Sequence, residues 1–113
     1  MSQIRCLLAG MRSGVLADIV EHLVQNHLDV EVMERVKDRE RVIPMVRKHQ
    51  YNLVMLDFEP DEIPDICHQL LEEHPSMVVA GMVEDGRRLC ILIDDPGPHE
   101  LTEMIRLAVD RRQ

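Results

Sequence analysis

Asp57 ends the run Asn52-Leu53-Val54-Met55-Leu56-Asp57-Phe58-Glu59-Pro60, four apolar residues leading into a carboxylate and then turn residues. This is the pattern of a buried parallel strand stopping at a functional edge, because ligands in open α/β sheets gather outside the carboxyl ends of the strands. A second candidate is the loop Gly10-Met11-Arg12-Ser13-Gly14, which leads into a helix N-terminus, where anions are attracted. It has neither the dinucleotide spacing nor a P-loop lysine, so a turn with an N-cap is the plainer reading. The six histidines, at 22, 27, 49, 68, 74 and 99, are scattered, and His22 and His27 are badly spaced for a shared metal on a helix. Ser13 has no base partner in the sequence pattern and reads as a cap. Neither a metal site nor a cofactor is expected.

Composition narrows the function classes. The chain of 113 residues is 45% apolar, enough for one globular domain over 1–113 and too short for two. Tyr51 and Phe58 are the only aromatics, against eight methionines, which disfavours stacking sites for flavins or single-stranded nucleic acid. A net charge of −8 repels a phosphate backbone, so no nucleic-acid partner is expected. No apolar run reaches membrane-spanning length and the N-terminus has no signal-peptide pattern, so a cytoplasmic protein is expected. Cys6, Cys67 and Cys90 sit in apolar runs and are expected to be buried, reduced thiols.

The elements that must position Asp57 alternate along the chain. Strands are predicted over 4–9, 30–36, 52–57, 77–83 and 89–93, with Val30, Val32 and Val36 inward in the second. Helices are predicted over 14–27 (Leu16, Ile19, Val20, Leu23 and Val24 inward), 40–49, 64–73 and 98–111. Pro44 must lie in the first turn of its helix or kink it, and Pro64 can open a helix. Leu101, Met104, Ile105, Ala108 and Val109 form the predicted inner face of the last helix. Between the fourth and fifth strands lies only Glu84-Asp85-Gly86-Arg87-Arg88, too short for a parallel crossover, and Asp-Gly is a strong hairpin signal. The expectation is an α/β fold with a five-stranded sheet in the order 2-1-3-4-5, strand five antiparallel, and helices on both faces.

In four segments the chain resembles a response-regulator receiver domain, a flavodoxin-like fold, over roughly residues 3–80. Ile4–Ala9 is similar to the family's first strand, Leu28–Val32 to its second-strand entry, Tyr51–Asp57 to its phosphoacceptor strand and His68–Pro75 to the end of its third helix. The resemblance makes Asp57 the phosphoacceptor equivalent. It also implies two acidic metal ligands after the first strand, where Gly10 and Met11 stand, and a Thr or Ser where Ala80 or Gly81 stands. It implies a Lys before a Pro after strand five, where Asp95 precedes Pro96. Two unit charges at ~4 Å interact by about 4 kcal/mol at an effective dielectric of ~20, so losing the metal and the Lys removes attraction on that scale. Phosphoryl transfer rests on such neutralisation.

The resemblance thus implies a degenerate, stand-alone receiver-like module, not an enzyme, acting in trans by contact with a protein partner or a second copy. The fourth helix is replaced by a hairpin, which uncovers apolar positions on strands four and five. Met77, Val79, Leu89 and Ile91 are interface candidates on one assignment of faces, Val78, Met82, Cys90 and Leu92 on the other. The alternatives are an atypical phosphoacceptor using Asp57 and a small-ligand binder at the Gly10–Gly14 loop.

Overall fold

Two apolar runs, Ile-Arg-Cys-Leu-Leu-Ala and Leu-Val-Met-Leu-Asp-Phe, form strands β1 (Ile4–Ala9) and β3 (Leu53–Phe58), which are paired on both sides. The computed structural model describes residues 4–10, 18, 21–22, 30–59, 63–83 and 87–112. The remaining elements are β2 (Val30–Val36), α1 (Val42–Lys48) after a 3-10 turn at Arg39–Arg41, and α2 (Asp65–Glu73). They are followed by β4 (Val78–Val83), β5 (Arg88–Ile93) and α3 (Pro98–Asp110). The helix expected over 14–27, with its Ser13 cap and inner face, lies outside the described residues apart from Asp18, Glu21 and His22, which are helical. Met11, Gly14, Pro60 and residues 84–86 also lie outside them.

The strand order is β2-β1-β3-β4-β5, parallel from β2 to β4, with β5 antiparallel to β4. The pairing Val83↔Arg88 leaves no room for a crossover helix, as the short connection requires. Asn52 fixes the start of β3. Its side-chain Oδ1 accepts from the Arg5 amide at 2.8 Å, its own amide donates to the Arg5 carbonyl, and its carbonyl accepts from the Val78 amide. One residue therefore sets β1, β3 and β4 in register.

Helices α1 and α2 cover one face. Val42 and Val46 from α1, and Cys67 and Leu70 from α2, join Leu7, Leu56 and Val79 in the larger core cluster. The Arg47 guanidinium clamps Glu73 with two hydrogen bonds of 2.9 and 3.0 Å, tying α1 to α2 at the surface and holding the Glu73 carboxyl below its usual range. The opposite face buries a second cluster, Cys6, Leu8, Val30, Met55 and Ala80. Helix starts follow local chemistry. The Asp38 side chain accepts from the Glu40 amide at 3.0 Å and begins the 3-10 turn, and Pro98 occupies the first turn of α3, where its missing N–H costs nothing. Pro44 sits in the first turn of α1 for the same reason.

Three expectations need correction. Val36 does not share a face with Val30 and Val32. The register jumps from Cys6↔Val32 to Leu7↔Glu34, so Met33 is an extra residue and the alternation reverses beyond it. Val30 and Val32 therefore pack in the smaller cluster and Val36 in the larger. Cys90 is exposed, while Cys6 and Cys67 are buried. The apolar stripe of α3 is not an inner face: no residue of the helix is buried, and Leu101, Ile105 and Val109 are each about half exposed. The reversed direction of β5 explains this. It delivers the chain to the opposite end of the sheet from a parallel fifth strand, and Asp95, at φ 45°, then turns it in the left-handed region. Amphipathic spacing identifies an apolar face but not what covers it. Leu101→Ala or Ile105→Ala should accordingly change the unfolding free energy by no more than about 0.5 kcal/mol, measured by urea titration of dilute protein.

Candidate functional site

Asp57 lies at the carboxyl end of β3, 1% exposed, paired in register with Met82 of β4. Gly10 directly follows β1, beside this end of the sheet, and its amide donates to the Val36 carbonyl at 2.9 Å. Its φ of 62° is in the left-handed region, which a side chain would disfavour. The ends of β1, β2 and β3 thus converge on Asp57.

Arg39 enters this space from the 3-10 turn that follows β2. Its guanidinium Nη2 donates to the Asp57 backbone carbonyl. Its aliphatic stem packs so closely on Gly10 that a Cβ there would stand 2.9 Å from Cγ and 3.0 Å from Nε. Gly10 is therefore required twice, for the backbone turn and for passage of the arginine side chain. The same arginine, with Glu40, Ile43, Pro64, Ile66 and Gln69, lines a groove of about 470 Å³ between the 3-10 turn, α1 and α2. Its charge also opposes, without overcoming, the effect of burial that pushes the Cys67 thiol up to about 11.

Nothing in the sequence pattern singled out Arg39, because its role depends on β2 ending beside β1 and on the glycine that lets its side chain across. The signal that was present is the Asp38 cap, which starts the turn at Arg39, one residue before the expected helix.

The other expected site positions divide. Ala80 is buried in the smaller core cluster and offers no hydroxyl. Asp95 is not at this site at all. Ile93 pairs with Val78, at the amino end of β4, so the residues after β5 lie at the opposite end of the sheet from Asp57. The reversed β5 instead brings Arg88 to the Asp57 end, through Phe58↔Val83 and Val83↔Arg88. Of the interface candidates, Met77 and Val79 lie in the core at 3% and 0% exposure and present no surface, and Leu92 packs against that core. Leu89 and Ile91 are exposed, at 62% and 46%. A hollow of about 720 Å³, lined by Tyr51, Asn52, His74 and Ser76 among others, lies at the amino end of β3. It is remote from Asp57.

Among the described residues, two features beside Asp57 disfavour a divalent cation. The position after β1 is a glycine with no carboxylate, and the guanidinium of Arg39 is already there, repelling a second cation. Among the described residues, no group of three His, Cys, Asp or Glu side chains is placed to hold a metal ion. None of the described helices is long and apolar enough to cross a membrane. No protein-family model matches the chain, and no curated protein matches it.

Proposed function

We propose that this chain is a flavodoxin-like, receiver-like module that works by protein contact, without catalysis, and that Arg39 stands where a receiver would bind its metal. The observation that carries this reading is the guanidinium of Arg39 on the Asp57 carbonyl, threaded past Gly10. A fixed internal cation supplies positive charge at the strand ends without a vacant coordination sphere. It therefore leaves Asp57 without the exchangeable metal that aligns a phosphodonor and neutralises the transferring group. A site of this kind holds one conformation and does not switch on phosphorylation. Its regulatory value then lies in the surface it presents, and the exposed β5 and α3 provide that surface.

The test is incubation with a small phosphodonor and magnesium. The intact mass should be unchanged, and millimolar magnesium should leave the backbone amide resonances near Asp57 in place. A stoichiometric phosphoryl adduct that disappears in Asp57→Asn would overturn the reading in favour of an atypical phosphoacceptor.

A further inference from the structure

We infer that the chain forms a two-fold homodimer by antiparallel pairing of its β5 edges, centred on Ile91. The inference deepens the contact function proposed above and rests on it, naming the partner as a second copy.

The two edges of the sheet differ in how they are protected. β2 carries the bulge at Met33, which disrupts a regular ladder, together with Glu31 and Glu34, and its Arg35 is engaged by Asp18 at 2.8 Å. Bulges and charges of this kind are how sheets discourage edge pairing. β5 has no register break along its six residues and, among the described residues, pairs only with β4. Its exposed apolar side chains, Leu89 and Ile91, share the face of Met82 and Ala80, their partners in β4.

The charge pattern selects the occupant. The segment reads Arg87-Arg88-Leu89-Cys90-Ile91-Leu92-Ile93-Asp94-Asp95, two cations, five apolar residues, two anions, of which Arg88–Ile93 form the strand. When two copies run antiparallel with Ile91 opposite Ile91, Arg88 of each comes beside Asp94 of the other, which directly follows the strand. Leu89 meets Ile93 and Cys90 meets Leu92. The cation that opens the strand then meets an anion and every apolar residue of the strand opposes an apolar one, on matching faces of the pleat. Shifting the pairing by two residues breaks this match. A strand complementary to itself about one point specifies an isologous interface, in which the same patch serves both partners.

The helix after the strand offers further apolar surface. Strand pairing alone buries little, but α3 follows after the four residues 94–97 and leaves Leu101, Ile105 and Val109 about half exposed. A helix of this length is ~20 Å long, so its stripe can add to the apolar area that a second copy would cover.

Cys90 gives a direct readout, because Cys6 and Cys67 are buried and Cys90 is exposed. In the proposed register the two Cys90 side chains are diagonal neighbours, roughly 7–8 Å apart, within reach of a short bismaleimide. The reduced full-length protein should be a dimer by light scattering at micromolar concentration. It should also give a covalent dimer with the crosslinker, lost in Cys90→Ser. Arg88→Asp places like charges opposite Asp94 twice per dimer and should weaken association about tenfold or more, while Arg88→Asp with Asp94→Arg should restore it. Circular dichroism of both variants should match the parent, since both positions are exposed. A protein that remains monomeric at high micromolar concentration would overturn the dimer, and a dimer indifferent to Arg88→Asp would overturn the β5 register. Neither result bears on phosphorylation at Asp57, so the dimer and the contact reading of the site fail separately.

Discussion

Raising the pH from 9 to 11 should remove on the order of 5 kcal/mol of folding stability, most of it through two buried thiols. Burial pushes Cys6 up from an ordinary value of 9.0 to about 12 and Cys67 to about 11. Both side chains are fully buried in the core clusters, Cys6 on one face of the sheet and Cys67 on the other. A thiol whose folded pKa is raised contributes its full stabilisation below the unfolded value. That contribution is lost as pH climbs from the unfolded value through the folded one, because the unfolded chain ionises first. Each thiol then costs about 1.4 kcal/mol per pH unit across this window. Tyr51, raised first by burial and then by Glu34, acts in the same direction. Total stabilities of small domains are about 5–15 kcal/mol, so the loss is a large share of the whole. Urea titrations at intervals from pH 8 to 11, under reducing conditions, should show a steep decline that Cys6→Ala and Cys67→Ala each make shallower. The variants have lower stability at neutral pH, but the readout is the slope. A decline equally steep in the double variant would assign the alkaline sensitivity to other groups.

The strands were legible because each has a local signature: continuous apolar runs for β1 and β3, and a short Asp-Gly connection that admits only a hairpin between β4 and β5. Burial of one strand on both faces also made Asp57 legible as a strand-end carboxylate. What remained hidden depends on tertiary placement. A bulge at Met33 leaves no mark in the apolar spacing of Val30–Val36, yet it sends Val36 to the other face. Asp95 lines up with a receiver position by sequence order alone, and the reversed β5 carries it to the far end of the sheet. The α3 stripe has the periodicity of a packed helix whether its cover is the same chain or another. Arg39 was hidden most deeply, since a lone arginine before a short helix carries no signal. Only the meeting of the β1, β2 and β3 ends gives its side chain a destination, and Gly10 marks the path.

That path yields the second large effect. Gly10→Ala should destabilise the fold by roughly 2–4 kcal/mol, combining a side chain held in the left-handed region with overpacking against a neighbour. The backbone part follows from φ 62°. The packing part follows from the 2.9 Å between the added Cβ and Arg39 Cγ, too near for either atom to stay in place. To relieve it, Arg39 must withdraw, which breaks its hydrogen bond to the Asp57 carbonyl. The two parts separate in a double-mutant cycle. In an Arg39→Ala background the clash is gone, and Gly10→Ala should cost only the backbone part, about 1–2 kcal/mol. A coupling of at least about 0.5 kcal/mol between the two positions, measured by urea unfolding of the four proteins, is the expected outcome. Additive effects would mean that the arginine does not run past the glycine, and the internal cation at the strand ends would lose its support. With coupling present, the proton resonance of the Arg39 side chain should shift in Gly10→Ala, because the guanidinium can no longer reach over β3 by its original route.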